Sequence, residues 1–405
     1  MKIAAVNALP KGSPATIMRR ILQSVETEHQ AEGRSFYGHW RHAPSSYQDS
    51  ERFGFLTENL ISFVFARQTG IYNMGSVFGT LQLLRRLKQF HPDLIHLHNL
   101  HLSDVNVPLL FRYIKRNAIP VVWTLHDCWA FTGRCPYFDL VCCDKWKSLC
   151  VDCPYPPTNY PPARRDASTA MWRRKQKWFH GVENMTIVTP SNWLGGLVKQ
   201  SYLKDYPLQV IHNGIDLETF RPVESSFRKE HQISEDGRML LGVAFDWGFR
   251  KGLDVFLALE RYLTSKDRIV LVGTDEKIDS LLPKSFISIH RTDSAKKLAE
   301  IYSSADVFVN PTREDNYPTV NMEAIACGTP VVTFRTGGSP EAPDESCGIV
   351  VPKDDTEAMW EAVNRICADP KPWREGCLRR AKSFSEKECY RAYWDLYQNI
   401  ITGGR

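Results

Sequence analysis

Apolar and polar positions alternate along the chain in two successive series. In the first, the short apolar runs KIAAVNAL, DLIHLH, PVVWTLH and MTIVTPS stand between amphipathic stretches such as LLRRLKQF and VPLLFRYIKR. Brief apolar runs separated by segments of helical period predict buried parallel strands wrapped by helices. A second series starts afresh at MLLGVAF and continues through RIVLVG, FISIH, DVFVN and PVVTF. Between the two lies HNGIDLETFRPVESSFRK, whose Asn213-Gly214 turn and Pro222 suit a connection. The expected fold is α/β, with two doubly wound Rossmann-like domains, residues 1–222 and 223–384, facing a cleft at the carboxyl ends of their strands. A last helix, about 385–402, is expected to pack back on the first domain.

Composition narrows the class. The 405 residues are 43% hydrophobic and 24% charged, enough apolar material for two cores and unlike a disordered chain. A formal charge of +5 is small for this length, and no nucleic-acid-reading motif accompanies it, so nucleic acid is not an expected partner. One basic stretch stands out, ARRDASTAMWRRKQKW at 163–178, which reads either as a solvated helix face or as peripheral contact with an anionic membrane. No apolar run is long enough to span a membrane, and Asn7 and Pro10 interrupt MKIAAVNALP too early for a secretory h-region. That segment reads as a first buried strand, and the protein as cytoplasmic, with the inner face of the plasma membrane as its peripheral site.

Six of the eleven cysteines crowd into 128–153. Cys135, Cys142 or Cys143, Cys150 and Cys153 offer four thiolates, with Cys150 and Cys153 at zinc-knuckle spacing. Structural zinc on Cys135, Cys142, Cys150 and Cys153, reduced thiols beneath a loop, and a labile disulfide all remain open readings.

The richest motif is PTREDNYPTVNMEA, residues 311–324, directly after the run DVFVN. Pro318 suits a first helical turn, Asp315 or Asn316 an N-cap, and Gly328 and Pro330 a stop. A helix start with free backbone amides attracts anions, and a diphosphate fits that chemistry. Glu323, deeper in the helix, can accept two hydrogen bonds from a vicinal diol such as ribose. In GVAFDWGFRKGLD, Arg250 and Lys251 precede Gly252 and supply two cations for a diphosphate leaving group. His126 and Asp127 end the run VVWTL, and His96, His98 and His101 are expected to be strand-end polar residues on the acceptor side. Gly12 and Ser13 follow the first run and could bring backbone amides to a transferring group. D-x-D, a carboxylate pair for a divalent metal, does not occur in the chain, so no catalytic metal cofactor is expected.

These residues carry a resemblance. Asp315 and Glu323 with seven residues between them, then A-x-A-x-G-x-P-V-V and Gly337, Gly338, Ser339, Pro340 and Glu341, are similar to retaining glycosyltransferases of the GT-B fold, family 4. EDNYP and VWTLHDCWAFTGRC resemble the colanic-acid type, which makes exopolysaccharide. The resemblance implies a nucleotide-diphosphate sugar as donor and a lipid-linked saccharide as acceptor, taken by the second and first domains respectively. It places Glu323 on the ribose, and Asp315, Asn316, Tyr317, Pro318 and Thr319 on the donor sugar and its phosphates. It also places His126 on the donor hexose. Where the family usually carries E-G-F-G, this chain has Asp315-Asn316-Tyr317, and the family's Arg five residues before Lys251 is Asp246. Two other functions share these features, a sugar-nucleotide 2-epimerase of the same fold and a non-catalytic saccharide-binding assembly subunit.

Overall fold

The computed structural model describes residues 1–10, 12–38, 50–101 and 103–403. They form two compact units, one of Met1–Ile211 with Tyr390–Arg405, the other of His212–Cys389. Residues 212–222, assigned to the first domain on sequence grounds, group with the second unit because Ile215 donates its N–H to Phe384 and pairs with Ser385.

The first unit holds seven parallel strands: β1 (Lys2–Asn7), β2 (Glu32–Gly38), β3 (Ser50–Phe53), β4 (Leu94–Leu97), β5 (Val121–Thr124), β6 (Met185–Thr189) and β7 (Leu208–Val210). Their order in the sheet is β3-β2-β1-β4-β5-β6-β7. The second unit holds β8 (Met239–Val243), β9 (Arg268–Val272), β10 (Phe286–Ile289), β11 (Val307–Asn310), β12 (Val331–Phe334) and β13 (Gly348–Val351), ordered β10-β9-β8-β11-β12-β13. Each sheet runs outward one way and then restarts beside its first strand. The point of reversal, where a ligand crevice forms, lies between β1 and β4 in one unit and between β8 and β11 in the other.

The unbroken apolar runs follow from burial on both sheet faces. In the second unit Met239, Leu241, Val270 and Val272 pack on one side while Leu240, Ile269 and Leu271 pack on the other. A strand between two helical layers has no polar side to show, so the alternation of a half-exposed sheet is lost. Helix starts follow side-chain caps. Asn106, Ser191, Ser294 and Asp355 each accept an N–H from the first turn of the helix that follows, and Pro108 sits in the first turn after Asn106.

The helix Ser168–Phe179, within the basic stretch, turns Met171, Trp172, Lys175 and Phe179 inward and leaves Arg173 and Lys177 exposed. Lys175 is fully buried and makes no ion pair among the described residues. Its ammonium donates to the carbonyls of Trp129 (2.7 Å) and Thr132 (3.0 Å) and lies 3.8 Å above the Trp129 ring, and burial lowers its pKa to about 7.

The final helix, Glu386–Gly403, is held to the first unit by aromatic residues. Trp394 stacks on His29 at 4.3 Å, Tyr393 shares a hydrogen bond with Thr124 (3.0 Å), and Tyr397 shares one with Nδ1 of His96 (2.7 Å). Both ends of the Tyr397–His96 bond are buried. Replacing Tyr397 with Phe leaves the ring in place and orphans a buried imidazole nitrogen, which should cost roughly 1–3 kcal/mol in denaturant unfolding. An unchanged midpoint and slope would show that the Tyr397 hydrogen bond does not help to hold this helix.

Candidate functional site

In the second unit the loops after β8 and β11 meet at the point of strand reversal. The first rises through the short 3-10 turn Phe249–Lys251 to Gly252, and the second is Pro311–Pro318. Gly252 has φ +74°, and a Cβ there would fall 2.5 Å from the Pro311 carbonyl oxygen, so only glycine permits the approach. The loops are then laced together. Arg313 donates its N–H to the Arg250 carbonyl (2.9 Å) and its guanidinium to the Phe249 carbonyl, while forking onto Asp254 at 2.8 Å through both terminal nitrogens. Its remaining nitrogen reaches Asp354 (2.5 Å). Arg313 therefore fixes the backbone from which Arg250 and Lys251 project.

Lys251 and Asp315 come together as an ion pair at 2.5 Å, with side chains only 14% and 18% exposed. The other Asp315 oxygen accepts the N–H of Asn316 (3.0 Å). A guest phosphate at Lys251 must share or displace that carboxylate. Arg250 lies 3.7 Å from Asp246, so the acid standing where the family carries Arg partly balances the nearby cation. Behind them, Gly337 at φ +56° lets the Gly337-Gly338 turn close on the Asp315 carbonyl, which accepts the Gly338 N–H (3.3 Å).

The helix after this loop runs Thr319–Ala326. Its N-cap is Pro318, not Asp315 or Asn316, and no side chain caps it. Pro318 has no side-chain acceptor to offer the first-turn amides, so the cap does not offset the positive end of the helix. Glu323 is half-buried and accepts a hydrogen bond from Tyr302 (3.1 Å). Burial raises its pKa, and the bonds from Tyr302 and Thr319 oppose that rise. Tyr317 is buried against His212, rings 4.9 Å apart, and His212 lies 3.2 Å from Glu341.

Sequence reading missed the polar frame beneath. Buried Asn321 accepts from Asn310 (2.7 Å) and donates to Ser339 (3.0 Å), whose hydroxyl also meets Thr333 (2.7 Å). Asn310 and Asn321 sit amid apolar runs, and a buried amide that must be satisfied was the available signal.

In the first unit, Gly12 caps the helix Ser13–His29 after β1, at φ +92°. After β4 and β5 come the histidines. His96 is buried on β4 and bonded to Thr124 (2.8 Å) and Tyr397, so it serves the core and not an acceptor surface. His98 is also buried and shares a hydrogen bond with His126 (2.9 Å). His101 is partly exposed, bridging Asp127 (2.8 Å) and the Tyr160 hydroxyl (2.9 Å). Burial raises the Asp127 pKa, but His101 and the Trp129 amide outweigh it and the net shift is down. Burial lowers His126 to about 4 and His96 to about 3, and takes His98 well below its ordinary value. All three imidazoles are neutral near pH 7.

Of the two cysteine sets named from spacing, the one with Cys142 does not assemble. Cys142 is exposed and directs its thiol to the Asp139 carbonyl, whereas Cys135, Cys143, Cys150 and Cys153 line one small pocket. Its φ of +45° turns Cys142 away from that pocket. Burial holds Cys135 protonated and pushes Cys150 to about 11. Among the described residues no group of three His, Cys, Asp or Glu side chains is placed to hold a metal ion.

The histidines give a pH signature. Each binds a proton below about 6.5 when unfolded but stays neutral when folded, so stability present above that pH is lost as pH falls through it. Buried Asp104, raised to about 7, acts in the opposite sense, but with one proton against three. The thermal midpoint should drop steadily between about pH 6.5 and 5. A flat midpoint over that window would mean that two of the three imidazoles are charged in the fold.

Comparison with known proteins agrees with this arrangement. A model of family 4 glycosyltransferases matches residues 36–219, and a model of glycosyl transferases group 1 matches residues 239–369. The chain is 25% identical over 321 residues to a protein described as the putative colanic acid biosynthesis glycosyl transferase WcaC of Escherichia coli, covering 76% of this chain and 77% of that one. Among solved structures, sucrose-phosphate synthase from Thermosynechococcus elongatus superposes with a TM-score of 0.71 at 18% identity, covering 99% of both chains. Anabaena HepE in complex with UDP-glucose does so with a TM-score of 0.65 at 12% identity, covering 98% of this chain and 100% of that one. Matched by glycosyltransferase models in both of its units and sharing the fold of these structures along its whole length, the chain belongs to the GT-B glycosyltransferases.

Proposed function

We propose that the protein moves a hexose from a nucleotide-diphosphate sugar onto a lipid-linked saccharide during exopolysaccharide synthesis, with retention at the anomeric carbon. The carrying observation is the Lys251–Asp315 pair beside an uncapped helix start at the reversal between β8 and β11. That is cationic equipment for a diphosphate, set where doubly wound sheets take ligands. Similarity to a colanic-acid glycosyltransferase supports the polysaccharide acceptor. The UDP-glucose complex of a protein with this fold supports the donor class.

In this reading Lys251, Arg250 and the backbone N–H groups at the start of the helix Thr319–Ala326 hold the diphosphate, Glu323 holds the ribose, and Asp315, Asn316 and Tyr317 face the sugar. In the first unit, neutral His126 and the amides at Gly12 and Ser13 are assigned to the transferring hexose. The bond between the anomeric carbon and the phosphate oxygen breaks, and an acceptor oxygen bonds the same face. The acceptor proton passes to the departing phosphate. Fixed cations lower this barrier because charge on the diphosphate grows as the bond breaks.

Lys251→Gln keeps a donor for Asp315 but removes the charge, so it should lower kcat about 10²- to 10³-fold with the fold intact. Lys251→Arg should retain more activity than Lys251→Gln. Because the chain lacks D-x-D, excess EDTA should leave wild-type transfer nearly unchanged. Full activity in Lys251→Gln, or loss with EDTA that Mg²⁺ restores, would defeat the assignment.

Glu323 must be ionised to accept from ribose, and its pKa is raised. Nucleoside-diphosphate affinity in calorimetry should therefore weaken as pH is lowered, beginning above the usual carboxylate range near 4.3. Glu323→Gln should lose roughly 1–3 kcal/mol of binding and abolish that pH dependence. Equal affinity in both proteins would remove Glu323 from the site.

A further inference from the structure

The helix Leu56–Thr69 reads LTENLISFVFARQT, apolar around most of its circumference, which is the composition of a buried helix. Only Asn59, Ser62 and Ala66 are buried. Its outer face presents Ile61, Val64 and Phe65 at 71%, 56% and 50% exposure, with Phe55 just ahead at 51%. The next helix, Val77–Phe90, begins against it. Glu58 accepts the N–H groups of Phe78 (2.8 Å) and Gly79 (2.9 Å), and Ser62 accepts that of Ser76 (2.9 Å). This contact sets exposed Phe78 (70%) and Leu81 (49%) beside the first apolar face.

Cations edge the patch. Along the second helix the stripe that starts with Phe78 and Leu81 continues into exposed Arg85 and Lys88. At the far end of the first helix stands exposed Arg67, joined by Arg164, whose N–H donates to the Arg67 carbonyl (2.8 Å), and by neighbouring Arg165. Glu58, the acid on the first helix, is occupied by the amides of the second. An apolar centre with a basic margin complements a layer of acyl chains beneath anionic headgroups. A second copy of the same face would instead oppose like charges.

We propose that this surface docks the protein on an anionic phospholipid membrane, with Ile61, Phe65, Phe78 and Leu81 entering the headgroup–acyl boundary and the flanking arginines and Lys88 meeting phosphates. The membrane contact thereby moves from the basic helix, where Trp172 and Lys175 belong to the core, to these two helices.

The test is cosedimentation of the full chain with phosphatidylcholine vesicles containing or lacking phosphatidylglycerol, with light scattering of the free protein. The wild type should pellet with the anionic vesicles, less so as salt rises. Ile61→Ser with Phe65→Ser and Phe78→Ser should abolish pelleting, and each of Arg85→Gln and Arg164→Gln should weaken it about fivefold. These positions are solvent-facing, so melting curves should match the wild type. If the triple variant melts early, Phe78→Ser alone carries the test with a partial loss. A wild type that ignores both vesicles, or variants that pellet equally, overturns the proposal. So does a dimer that the apolar substitutions dissociate. Vesicle binding requires no glycosyl transfer, so its failure and that of the transferase reading are separable.

Discussion

The site of the second unit depends on Arg313. A guanidinium buried at the crossing of two loops must have its nitrogens satisfied, and here two carboxylates and a backbone carbonyl do so. Satisfying them locks the loop after β8 to the loop after β11, and Gly252 supplies the clearance that the lock needs. Lys251 and Asp315 meet as a consequence. The pair is electrostatically expensive to separate in a shielded crevice, yet a diphosphate offers Lys251 more charge than one carboxylate does. The resting ion pair thus holds the cation in place, and in the proposed function it is the contact that the diphosphate replaces.

The two sheets were legible because double-sided burial leaves continuous apolar runs, a coarse and robust signal. DVFVN and PVVTF announced β11 and β12 almost to the residue. Less of the site could be read. Pro318, Glu323 and the basic pair stood out through local chemistry, since helix starts and charges near glycine obey short-range rules. The N-cap fell at Pro318, because the loop is held by Arg313 and by the Gly337-Gly338 turn, which reaches Asp315 from beyond the next strand. The reading of His96 failed for the same reason. Spacing put His96 and His98 on one face of a strand, but only a partner 301 residues away in sequence makes His96 a core residue.

The basic segment and the cysteine loop show how composition misleads when side chains of one type split between inside and outside. Six basic residues read as one face, yet Lys175 turns inward to carbonyls and an indole ring. Adjacent Cys142 and Cys143 are interchangeable in a spacing rule, but a left-handed backbone at Cys142 sends the two thiols in different directions.

The bond between Tyr397 and His96 also bears on how the protein is made. Domains tend to fold in order as a chain leaves the ribosome, the first one before the second exists. Here the strand holding His96 is synthesised 301 residues before the tyrosine that completes its hydrogen bonding. Until the helix Glu386–Gly403 has been made, the first unit carries an open seam of imidazoles and apolar side chains where that helix will lie. The unit begun before the other is therefore completed after it.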